Sequence, residues 1–85
     1  MKHVISCIVG RRIRQIRTSQ GKSMTTLAHD SDMEYIQLSR IERGQINTTL
    51  FQLFKISKAL NIRLEELFKG VDEEVIFELN QKSTF

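Results

Sequence analysis

The sequence contains no proline and no tryptophan, one cysteine, one tyrosine and four glycines in 85 residues. The single thiol, Cys7, has no second cysteine to pair with, so an internal disulfide is excluded and nothing suggests a secreted, stapled framework. With no histidine–carboxylate pattern beside it, Cys7 reads as a small buried hydrophobe on a helix face. Long apolar runs are missing too. The opening "MKHVISCIVG" loses its apolar stretch at Gly10, too short to span a bilayer and without a small-residue cleavage site. A soluble cytoplasmic protein without a membrane partner is the expectation. His3 and His29 lie far apart and no Cys/His cluster has metal-ligand spacing, so no metal and no other cofactor is expected. No glycine-rich phosphate loop follows a strand and no nucleophile–base pair is visible, which leaves no basis for an enzyme.

What is present is an ordinary globular composition, 40% hydrophobic and 27% charged, in a chain sized for one domain and one core. Charge is uneven along it. Residues 1–63 carry eleven Lys/Arg against Asp30, Asp32, Glu34 and Glu42, a balance of +7. Residues 64–85 carry Lys69 and Lys82 against Glu65, Glu66, Asp72, Glu73, Glu74 and Glu78, a balance of −4. A basic body with an acidic end suits a polyanion partner, the acidic end turned away from it.

The chain divides into helices joined by short turns. Ile5, Val9, Ile13 and Ile16, with Ile8 beside them, recur at helical spacing, and "SQGKS" breaks that run at Gly21. The face "RRIRQIR" could meet anionic lipid, but its apolar side is needed for a core. Ser23 is a natural cap for "MTTLAHDS", whose Met24, Leu27 and Ala28 share a face. "DSDM" is a tight turn around Asp32, and "EYIQLSRIERG" follows as a third helix stopped at Gly44. Thr48 or Thr49 can cap a fourth helix with Leu50, Leu53, Phe54, Ile56 and Leu60 as apolar members. Asn61 ends it, and "RLEELF" makes a short fifth. Residues 71–85 open with Asp72 and two glutamates, a good helix start. "VIFEL" has strand-forming residues, yet helix is favoured because nothing else offers a sheet to join.

On a wheel of about 100° per residue, Leu38 lies with Glu34, Ile41 and Glu42 on the side that packs. Opposite it are Ile36, Ser39, Arg40 and Arg43, with Tyr35 flanking. That outer face fits a DNA major groove: arginine can bond both guanine acceptors, serine can donate or accept, and an apolar side chain can meet a thymine methyl. Solvated surface charges and a stray exposed isoleucine describe the same face equally well, so this helix by itself decides nothing.

Its neighbours decide more, since a helix, a short turn and then this helix is the helix-turn-helix arrangement. From Gly10 to Phe68, through "RIRQIR", Leu27–Ala28, "LSRIERG" and "LFKISKALNIRLEELF", the chain resembles the XRE-type helix-turn-helix family of phage repressors, Cro-like proteins and restriction–modification controllers. The resemblance implies an all-α, compact five-helix domain over residues 1–85, its core at 10–68, with residues 71–85 an additional C-terminal helix that dimerises or packs. It places base contacts on Tyr35, Ile36, Ser39 and Arg40, with Gln37 between them. Phosphate contacts fall on Ser23 and Thr25, and on Arg43, Gln45, Asn47 and Thr48. Arg17 and Glu42 correspond to a partly buried ion pair that fixes the unit.

Four positions depart from the family pattern. Met24 stands where glutamine is usual, Asp32 where the turn glycine is, Thr48 or Thr49 where proline is, and Glu34 where a capping serine or threonine is. The implied function is a sequence-specific transcriptional regulator, a repressor in the first instance, bound as a homodimer to a pseudo-palindromic operator in double-stranded DNA. Val75, Ile76, Phe77 and Leu79, with Phe85, exceed the needs of a five-helix core and are expected at a dimer interface or on residues 1–9. The alternative is a protein-binding module such as an antitoxin, for which the exposed Ile36 and the apolar C-terminal segment leave room.

Overall fold

Helix α1, Val4–Ser19, opens the computed structural model, which describes residues 4–82. Ile8, Val9, Ile13 and Arg17 form its buried stripe. Ile5, expected on that stripe, is instead 57% exposed, one turn too early to reach the centre. Cys7 is exposed as well, not buried, because it lies beside the stripe. Gly21, at φ 71°, takes the backbone out of α1 in the left-handed region where glycine has no Cβ to clash.

Ser23 caps α2, Met24–Asp30, its hydroxyl accepting the Thr26 N–H at 3.0 Å. Leu27 and Ala28 are its buried residues, and the buried Ser31 closes it by donating to the Leu27 carbonyl at 2.6 Å. Asp32, at φ 54°, makes the turn that a glycine would make more cheaply. Helix α3, Tyr35–Glu42, then buries Leu38, Ile41 and Glu42 and stops at Gly44, φ 69°. Glu34, grouped on the wheel with the packing side, is its exposed N-cap and makes no capping bond through its side chain.

Between the two candidates, Thr49 is the cap of α4, Leu50–Ala59, accepting the Gln52 N–H at 3.1 Å. Leu53, Ile56 and Ser57 are buried in α4, whereas Leu50 and Phe54 are exposed. The helix has more apolar residues than its inward arc can hold. Asn61, at φ 58°, ends it, and Leu64–Leu67 form one 3-10 turn where a short α-helix was expected. The described part of the C-terminal segment is helix: α5 spans Val71–Lys82, with Asp72, Glu73 and Glu74 in the first turn, where carboxylates suit the helix dipole. His3 and Phe85 lie outside the described residues.

The core draws on every element. Ile13, Leu27, Leu38, Ile56, Leu60 and Leu67 are its most enclosed side chains, and Val71 carries it to α5. Each such side chain contributes on the order of 1.5–3 kcal/mol by leaving water. α1 is the spine on which α3 and α5 both rest. It reaches α3 at Gly10, where any Cβ would run into the Ile41 and Glu42 carbonyls. Among the described residues there is no strand, no helix long and apolar enough to cross a membrane, and no cluster of metal-binding side chains.

Candidate nucleic-acid interface

The side of α3 that α1 does not cover carries Tyr35, Ile36 and Arg40, all exposed, with Gln37 and Ser39 half-buried between them. Glu34, Ile36, Gln37 and Arg40, together with Ile46 from the loop after α3, line an open groove of about 440 Å³. One helix face thus offers a guanidinium, an amide, a hydroxyl and a phenol, with an isoleucine 64% exposed to solvent among them. These are the groups needed to meet donors, acceptors and methyls on base edges.

Behind that face sits a buried ion pair. Arg17 donates from Nε to Glu42 Oε2 at 2.7 Å and from Nη2 to Glu42 Oε1 at 3.0 Å, a bidentate fork between α1 and the last turn of α3. Its third nitrogen donates to the Lys22 carbonyl at 3.0 Å, which ties in the approach to α2. The hydrogen bonds to Glu42 hold the Arg17 guanidinium above its ordinary pKa, against the opposing effect of burial. One arginine therefore orients both helices of the pair.

The model of the helix-turn-helix family HTH_3 matches residues 13–67, more than half of the chain. The protein belongs to the XRE-type helix-turn-helix family. It is similar to the control protein C.BamHI of Bacillus amyloliquefaciens, 38% identical over 68 residues that cover 79% of this chain and 84% of that one. Among solved structures it is similar to the restriction–modification controller protein C.AhdI of Aeromonas hydrophila, 38% identical with a TM-score of 0.73, covering 74% of this chain and 96% of that one. It also resembles the controller C.Esp1396I, 28% identical with a TM-score of 0.74, covering 85% of this chain and 94% of that one. The protein is thus a DNA-binding transcriptional regulator of the controller type and not an enzyme.

In this XRE-type domain the residues expected at phosphates fall into two groups around α3. Ser23 and Thr25 are exposed at the start of α2, with the Ser23 hydroxyl engaged in the cap. Arg43, Gln45 and Asn47 are exposed beyond the end of α3. Arg43 Nε donates to the Ser39 carbonyl at 3.3 Å, and Asn47 accepts from Ser6 Oγ at 2.7 Å, which ties the loop to the first turn of α1. Thr48 is different. Its hydroxyl is buried without a hydrogen-bond partner, so that atom does not face outward for a phosphate. The exposed residue at the head of α4 is Thr49.

Sequence reasoning missed how α1 spends its cations. Arg11 pairs with Glu74 at 3.3 Å, and Arg12 donates to the carbonyls of Glu66 and Lys69 at 3.1 and 2.6 Å. Both serve the C-terminal segment. Backbone carbonyls carry no signature in the sequence, so only the fold reveals the second of these.

Proposed function

We propose that two copies of the protein bind a pseudo-palindromic operator, each laying α3 in a major groove, and that the bound dimer represses transcription by covering a promoter. The observation that carries this reading is the division of α3 into a clamped side, with Glu42 held by Arg17, and an outward side bearing Tyr35, Ile36, Gln37, Ser39 and Arg40. Two such helices related by a two-fold axis meet successive grooves about 34 Å apart. Ser23, Thr25, Arg43, Gln45 and Asn47 hold the register on phosphate, and the outward residues of α3 discriminate bases. Residues 71–82 contribute to the dimer. The similarity to control proteins of restriction–modification systems supports a regulator of such a gene pair.

Selection from fragmented genomic DNA, followed by titration over a range of salt, tests the reading. A single recovered motif with two-fold symmetry and a steep fall of affinity with salt is the expected result. Non-selective, micromolar binding would overturn it in favour of a protein-binding module. On the recovered site Arg40→Ala should cost about 1–3 kcal/mol and relax one base position per half-site, as loss of a bidentate guanine contact does.

A further inference from the structure

The open groove on the outer side of α3 holds two residues that neither the base contacts nor the phosphate contacts include. Glu34 and Ile46 line it together with Ile36, Gln37 and Arg40. Ile36 and Arg40 lie one helical turn apart on the same face, both exposed. Ile46 comes from the loop after α3 and is held in place, because part of its side chain packs on the core. The two isoleucines give the groove apolar walls, one from the helix and one from the loop. Glu34 is exposed at the head of the helix, and its carboxylate makes no capping bond.

A carboxylate repels a phosphate backbone, so Glu34 does not serve as a phosphate contact. On base edges in the major groove a carboxylate has one good partner, the N4 amino group of cytosine, and thymine presents an acceptor, O4, at the same place. Apolar side chains there also have one good partner, a methyl group on pyrimidine C5. Thymine carries the methyl without the amino group, and cytosine the amino group without the methyl. 5-Methylcytosine carries both on neighbouring ring atoms, as a carboxylate and two isoleucines lining one groove require. We infer that Glu34, Ile36 and Ile46 form a subsite for 5-methylcytosine beside the guanine that Arg40 reads, so that C5 methylation of the operator strengthens binding. This rests on the major-groove reading proposed above and names a base that the groove takes.

Modified bases test this on the full chain. In the operator recovered by selection, the positions flanking the guanine that Arg40→Ala relaxes are filled in turn with cytosine, 5-methylcytosine, thymine and uracil. Fluorescence anisotropy reads each dissociation constant. At one flank 5-methylcytosine should bind about fourfold more tightly than cytosine per half-site, and thymine more tightly than uracil by the same factor, as burial of one methyl group gives. 5-Methylcytosine should exceed thymine by about tenfold, as a matched contact at N4 gives. Glu34→Gln, whose amide can donate to thymine O4, should close that gap and keep both methyl increments. Ile36→Ala should do the reverse, losing the methyl increments and keeping the gap. Ile36 is exposed, so this variant leaves the core intact, and helical circular dichroism confirms that both variants are folded.

Equal affinity for cytosine and 5-methylcytosine at both flanks, weaker binding of the methylated site, or methyl increments that survive Ile36→Ala would each overturn the subsite while leaving the operator reading in place. So would an Arg40→Ala variant that relaxes no guanine, or thymine bound as tightly as 5-methylcytosine. Selection that recovers no motif at all would instead overturn the operator reading itself.

Discussion

Gly10 is buried in the middle of α1, where alanine would be the better helix former by about 1 kcal/mol. It stays glycine for a steric reason: the Ile41 and Glu42 carbonyls occupy the space a Cβ would fill. Because those obstacles are backbone, they yield only if α1 and α3 move apart. Overpacking of this kind costs about 1–3 kcal/mol, which outweighs the propensity gain. Gly10→Ala should therefore lower the urea midpoint, at a net loss of up to about 2 kcal/mol. The Arg17–Glu42 pair gives a contrast. Removing one partner strands a buried charge, so Arg17→Ala should cost about 3–5 kcal/mol in the same unfolding experiment. The double change Arg17→Met with Glu42→Leu should recover most of that, because it also removes the desolvated carboxylate. If the double variant is as unstable as Arg17→Ala, the pair supplies net stability and not only orientation.

Among the elements, helix boundaries were the most legible part of the sequence. Ser23, Gly44 and Asn61 mark ends through their own chemistry, a hydroxyl that caps or a residue that tolerates positive φ. The choice between Thr48 and Thr49 was not legible, since it turns on which threonine the loop leaves extended and outward. The apolar periodicity of α4 was misleading for a related reason. It reports that Leu50 and Phe54 are apolar but not that Leu53, Ile56 and Leu60 already fill the inward arc. The face of α3 could be drawn from spacing alone, except that Glu34 sits at the cap and outside the helical run. Asp32 yields a prediction at this scale. At φ 54° a Cβ costs about 1–2 kcal/mol relative to glycine, and aspartate is among the residues that tolerate this region better than most. Asp32→Ala should lower stability by about 1 kcal/mol, while Asp32→Gly should leave it unchanged or raise it, as read by thermal melting.

Across the whole molecule, the division between a basic body and an acidic end, visible in the sequence as +7 against −4, acquires a finer meaning once the helices are in place. The excess of cations is not all directed at DNA. Arg11 is paired with Glu74, and Arg12 with the carbonyls of Glu66 in the 3-10 turn and Lys69 beyond it, so two cations of α1 hold the acidic end against the body. Arg40 and Arg43, by contrast, stand exposed on and just beyond α3. Counterion release separates these roles, because only cations that neutralise phosphate enter the slope of log K against log salt, at about 0.9 each. Arg43→Ala should reduce the magnitude of that slope by about 0.9 per subunit and weaken binding to all sequences alike. Arg11→Ala should leave the slope within error of the unaltered protein. It should cost less than about 1 kcal/mol of stability, since its ion pair is solvent-exposed on both sides. A slope that falls equally for both variants would mean that the Arg11–Glu74 pair opens on the operator and that α1 also lies against phosphate, carrying the footprint well beyond α3 and its flanking loop.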